Sequence, residues 1–104
     1  MQSARHSVHV AGELRDLIPR FLANRRVEVE QLRDAIARSD RDAARRIGHG
    51  LKGVGGGYGF DEISRIGGEI ERSARAGGDE LAALAALARE LADYLDGVEI
   101  IYTT

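Results

Sequence analysis

Apolar residues recur along most of the chain at spacings of three and four, and the strict alternation of a half-buried strand is nearly absent. Ile18, Leu22, Val29, Leu32 and Ile36 fall on one helical face and predict a first helix over about 16–38. Asp16 is its candidate cap, and Pro19 suits a first turn, where its missing N–H is not needed. After a break at Ser39 and Asp40, a second helix carries Ile47, Leu51, Val54 and Tyr58 as its core face. That helix runs into a glycine-rich stretch, with Gly57 and Gly59 bracketing its stop. A third helix is expected from Asp61, read as its N-cap, with Ile63, Ile66, Ile70 and Ala74 on one side. Gly-Gly-Asp at 77–79 is read as ending it and capping the next. The fourth helix places Leu81, Leu84, Ala88, Leu91, Leu95 and Val98 in the three-four alternation of a bundle seam, with Gly97 near its end.

Four amphipathic helices with short connections predict an all-α fold, an up-and-down antiparallel four-helix bundle formed by residues 14–104 as a single domain. Residues 1–13 are expected to form an N-terminal arm or a short helix, packed by Val10 and Leu14.

Composition narrows the function. The 104 residues suffice for one core without metal or disulfide support, and the chain has no cysteine. With 15 basic and 17 acidic residues the formal charge is -2, which lacks the basic field of a nucleic-acid binder. The apolar stretch at 81–95 is interrupted by charge and too short for a bilayer, and the first residues lack the apolar run of a secretory signal. The expectation is a cytoplasmic monomer with no nucleic-acid or membrane partner. No phosphate-binding loop, Ser-His-Asp set or paired-carboxylate arrangement marks it as an enzyme.

The second helix holds the candidate chemistry. Each interior glycine costs a helix about 1 kcal/mol against alanine, yet glycine occupies 48, 50, 53, 55, 56 and 57. Turning about 100° per residue puts Arg45, His49, Lys52, Gly53 and Gly56 opposite the core face. Gly50, Gly53 and Gly57 form a bare stripe beside His49. Such a surface lets another protein approach the imidazole closely. Neutral imidazole is a nucleophile near physiological pH, and Lys52, three residues on, can reach an anion created there. Clustered glycines also serve close helix packing, the alternative reading for Gly48 and Gly55, which tilt toward neighbouring helices, and for Gly67 and Gly68.

The stretch HGLKGVGGGYG, residues 49–59, resembles the signature of the histidine-containing phosphotransfer (HPt) domain family: His-x-Leu-Lys-Gly, with another glycine six residues later, here Gly59. The resemblance continues through FDEISRIGGEIERSARAGG and upstream through LIPRFLANRRVEVEQLRDAI, covering about residues 14–97. It implies a phosphocarrier of a two-component phosphorelay, with His49 as phospho-acceptor, Lys52 balancing the phosphoryl charge and Gly53 leaving room for the partner. Leu51 and Gly59 fit its packing and turn positions. Gly50, Gly56 and Gly57 stand where the family commonly has small or polar residues. The implied partner is the receiver domain of a response regulator or hybrid histidine kinase. That receiver would bring its own Mg²⁺, so no cofactor of the chain's own is expected. Arg45, Arg46, Gly50, Gly53 and Gly56 are the expected partner-binding residues, although Arg45 and Arg46 also read as part of a solvated charged run.

Two other classes fit the residues. One is a non-catalytic helical adaptor or dimerisation module, with the leucine seam of the fourth helix as its interface. The other is a metal site built from His6, His9 and nearby carboxylates, the two histidines sharing a face if their segment were helical.

Overall fold

The computed structural model describes residues 6–77 and 80–104. Four helices carry the fold: α1 (Ile18–Ala37), α2 (Arg41–Gly55), α3 (Asp61–Ala76) and α4 (Glu80–Gly97). Two strands, β1 (Ser7–Ala11) and β2 (Glu99–Thr103), lie at the chain's ends. In the bundle α1 packs against α2 and α4, and α3 packs against the same two helices.

Helix boundaries follow local chemistry. The Asp40 side chain accepts a 3.0 Å hydrogen bond from the Ala43 N–H and so caps α2. Pro19 lies in the first turn of α1, but the cap position belongs to Leu17, with no side-chain hydrogen bond, and not to Asp16. Phe60 likewise takes the cap position of α3. Asp61 is the first helical residue, where its carboxylate and that of Glu62 favour the positive end of the helix dipole. Gly59 has φ +88°, a left-handed conformation that stops the glycine-rich turn without a Cβ penalty. Gly77 is also left-handed, at φ +79°, while the expected cap at 78–79 lies outside the described residues.

The core is the apolar face of each helix. Ile18, Val29 and Leu32 come from α1, Ile63, Ile66 and Ile70 from α3, and Leu84, Leu91 and Leu95 from α4. The leucine seam of α4 is thus consumed inside the chain, which removes it as a dimer interface. On α2 the buried stripe is Ala44, Gly48, Leu51 and Gly55. Ile47, Val54 and Tyr58 are only half-buried, so the core face is turned from the expected one toward α3.

Glycine causes that rotation. A Cβ on Gly48 would lie 2.6 Å from the Glu71 backbone nitrogen, and one on Gly67 would lie 2.5 Å from that of Lys52. A Cβ on Gly55 would be 2.7 Å from the Ser64 backbone nitrogen. Helices α2 and α3 therefore touch backbone to backbone, and the Ser64 hydroxyl donates a 2.9 Å hydrogen bond to the Lys52 carbonyl. Because backbone cannot swing aside, Gly67→Ala should destabilise the fold by about 1–3 kcal/mol despite alanine's better helix propensity. A fall in Tm of about 5–15 °C is expected by thermal denaturation, and a rise would contradict the close packing.

Where an arm or short helix was expected, residues 7–11 form a strand. It pairs in parallel with β2, in the register Ser7↔Glu99 through Ala11↔Thr103. Val10 is buried, while Val8, Ile100 and Tyr102 are half-buried against the core. Only Gly12–Leu14 is helical here, as a single 3₁₀ turn. The extended backbone also removes the premise of a His6–His9 metal site, since residues three apart in a strand face opposite ways. The His6 ring instead packs on Tyr94, with centroids 5.2 Å apart.

Candidate functional site

The intimate α2–α3 contact sets the geometry around His49. Gly48 and Gly67 bring α3 so close that the next turn of α3 delivers the Glu71 side chain to α2. The Glu71 side chain is 8% exposed, whereas that of His49 is 71% exposed. Glu71 Oε2 lies 3.0 Å from His49 Nδ1, and Oε1 lies 3.7 Å from Lys52 Nζ. One turn further along α3, Arg75 donates to Oε2 at 3.1 Å. A buried carboxylate thus gathers an exposed imidazole, an ammonium and a guanidinium.

Burial alone would raise the Glu71 pKa. The His49 hydrogen bond outweighs it together with the charges of Arg75, His49 and Lys52, and holds the carboxyl below its ordinary range. Folding lowers this pKa, so the ionised group stabilises the fold above the ordinary carboxylate range, and that contribution is lost as pH falls through the lowered value. An ionised Glu71 is an acceptor only, so the Nδ1 facing it carries a ring proton, which makes Nε2 the nitrogen with the lone pair whenever the ring is neutral.

The strip beside the imidazole is bare. A Cβ added at Gly50, Gly53 or Gly57 would meet no atom within 4 Å, and at Gly56 only the Ser64 hydroxyl at 3.7 Å. Gly48, Gly55 and Gly67 are therefore in close packing, and Gly50, Gly53 and Gly57 in the open. Gly68 belongs to neither, its Cβ position 3.7 Å from the Lys52 stem. Arg45 and Arg46 do not join the His49 group. Both are engaged by Asp42, one turn earlier on α2, whose carboxyl they hold below its ordinary range, chiefly through the Arg45 hydrogen bond. The sequence reading missed Glu71 and Arg75. The available signal was a carboxylate in register with Gly67 and Ala74, on the buried face of α3.

This arrangement presents a neutral nucleophilic nitrogen on an open surface with cations at hand, suited to accepting a phosphoryl group. The Hpt domain family model matches residues 12–99. The chain belongs to the Hpt domain family. Hpt domains are phosphocarrier modules of histidine phosphotransfer in phosphorelays, and receiver domains are their partners. No curated protein and no solved structure matches the chain. The matched span of this Hpt domain contains all four helices but neither β1 nor most of β2. Among the described residues no helix is long and apolar enough to cross a membrane.

Glu71→Gln is the informative change at this site. The amide keeps the shape and can still accept from Nδ1, but it loses the charge that fixes the proton there and partners Lys52 and Arg75. Phosphoryl acceptance should slow roughly five- to tenfold, and Tm should fall, because the stabilisation that the ionised carboxylate adds goes with its charge. Ring-nitrogen NMR should show a smaller share of the Nδ1–H tautomer, and an unchanged tautomer ratio would remove Glu71 from this role.

Proposed function

We propose that His49 carries a phosphoryl group to and from the aspartate of receiver domains. The observation that carries the reading is the exposed imidazole whose Nδ1 is held by a buried carboxylate, on a face where glycine leaves room for a partner. In the forward step the Nε2 lone pair attacks the phosphorus of the receiver's aspartyl phosphate. The bond from phosphorus to the aspartate oxygen breaks, and the carboxylate leaves with its electron pair. The Nδ1 proton stays on the ring, and Glu71 balances the positive charge that grows there, as the buried aspartate does in a Ser-His-Asp triad. Lys52 turns from its 3.7 Å contact with Glu71 toward the phosphoryl oxygens. The return transfer runs the same steps backwards.

Such transfer is largely positioning and charge neutralisation, so this chain needs no nucleotide site. The Mg²⁺ belongs to the receiver's acidic pocket. The partners of His49 all come from one chain, so a monomer suffices, and a cytoplasmic location is part of the phosphorelay reading. An up-and-down antiparallel bundle accompanies the reading. Its support is that Gly48 meets Glu71 while Gly55 meets Ser64, so that α2 and α3 run in opposite directions. Incubating the protein with a panel of phosphorylated receiver domains tests the function. Acid-labile label should move onto this chain from at least one of them, and no transfer from any would contradict it.

A further inference from the structure

The strands stand at the limits of the span matched by the family model, which takes in none of β1 and only the first residue of β2. They form a two-stranded sheet, and among the described residues no third strand adjoins it. Its two edges differ. β1 runs beside the turn between α2 and α3, where a Cβ on Gly59 would lie 3.7 Å from the His9 carbonyl oxygen. The far edge of β2 faces away from that turn. In a parallel ladder, alternate residues of a strand point their main-chain groups to the same side. The Glu99 N–H donates to the His6 carbonyl at 2.7 Å, so Glu99, Ile101 and Thr103 turn their main-chain groups toward β1, and Ile100 and Tyr102 turn theirs outward. The side chains of Ile100 and Tyr102 are half-buried on the core, whereas that of Ile101 points away from it and is 43% exposed.

Sheet edges are commonly blunted by lysine, proline or a bulge. β2 reads Glu-Ile-Ile-Tyr-Thr, without lysine or proline, and is mostly β-branched and aromatic. This edge is also self-complementary. Two identical edges join about a two-fold axis only when the strands run antiparallel. With the axis at Ile101 all five residues of β2 are paired. Ile100 then exchanges both main-chain hydrogen bonds with Tyr102 of the second copy, and the two Ile101 side chains meet at the closer, non-hydrogen-bonded position. Each Glu99 faces a neutral Thr103, which keeps the two carboxylates at opposite ends. Placing the axis at Ile100 or Tyr102 instead leaves one end of the strand unpaired. We infer that the β2 edge is a homodimer interface, at which two copies of the chain join their ribbons into one continuous sheet. The occupant is a second copy because a single register satisfies the outward main-chain groups, covers Ile101 and separates the acidic ends. This goes beyond the phosphotransfer reading of His49 and does not depend on it.

A strand of five residues covers far less than the about 800 Å² per partner of a stable complex, so the dimer should be weak, half-formed at about 0.1 mM. Sedimentation velocity across that concentration should show monomer giving way to dimer, and the Ile100 and Tyr102 amides should exchange more slowly with solvent as the dimer forms. Ile101→Lys sets like charges directly opposite each other and should stay monomeric up to about 1 mM, as should Ile101→Glu. Both variants alter an exposed side chain, so they should keep Tm within a few degrees and take label from phosphoramidate, a donor small enough to need no docking, as the parent does. An equimolar mixture of the two should dimerise again, because lysine then faces glutamate. Val27→Lys, at an exposed apolar position on α1, should dimerise as the parent does. A parent that is monomeric at about 1 mM, an Ile101→Lys protein that still dimerises, a mixture that stays monomeric, or loss of the dimer in Val27→Lys would overturn the β2 interface.

Discussion

His49→Gln should fold as the parent does and accept no phosphoryl group. The side chain is 71% exposed, and its hydrogen bond is to Glu71, which a glutamine amide at the same place can also reach as a donor. Removing an exposed side chain from such a position changes stability by only about 0.5 kcal/mol, so Tm should move by no more than a few degrees. An amide nitrogen has no available lone pair for attack on phosphorus, and labelling from a receiver should drop below detection. Label remaining on this variant, at His6 or His9, would move the acceptor away from α2.

Gly53→Leu separates access from stability. At Gly53 an added side chain meets nothing within 4 Å, and leucine is a better helix former than glycine by about 0.8–1 kcal/mol. The isolated protein should therefore melt about 4–8 °C higher. The same side chain stands beside the imidazole where the receiver must close, so transfer from the receiver should fall about a hundredfold or more while phosphoramidate still labels His49. Gly53→Glu should block transfer at least as strongly, because it adds repulsion of an acidic pocket. A Gly53→Leu protein that is less stable yet transfers normally would show that this glycine serves packing, as Gly48 and Gly67 do.

The helices were legible because their signals are local. Pro19, Asp40 and the three-four spacing of Ile63, Ile66 and Ile70 act within a turn or two of where they stand. The exposed face of α2 was legible for the same reason, since 100° per residue orders His49, Lys52 and Gly53 before any tertiary contact forms. The two strands were not, because each is five residues long and its partner lies 92 positions away, as in Ser7 with Glu99. The rotation of α2 toward α3 was equally hidden. It depends on Gly48 and Gly67 being placed against each other by two helices at once. Glu71 followed from that hidden contact. In the sequence it is one charged residue in a charged helix, and only the backbone approach at Gly48 turns it into the group that holds the His49 proton.

If Glu71 keeps the proton on Nδ1, the phosphoryl acceptor is Nε2 of His49. Nitrogen-15 and phosphorus-31 NMR of the phosphorylated protein tests it most directly, by showing which ring nitrogen of which histidine is bonded to phosphorus. A single phosphohistidine is expected, on Nε2 of His49, with Nδ1 still protonated and facing Glu71. Phosphorus on Nδ1 of His49, or on any other residue, would contradict it.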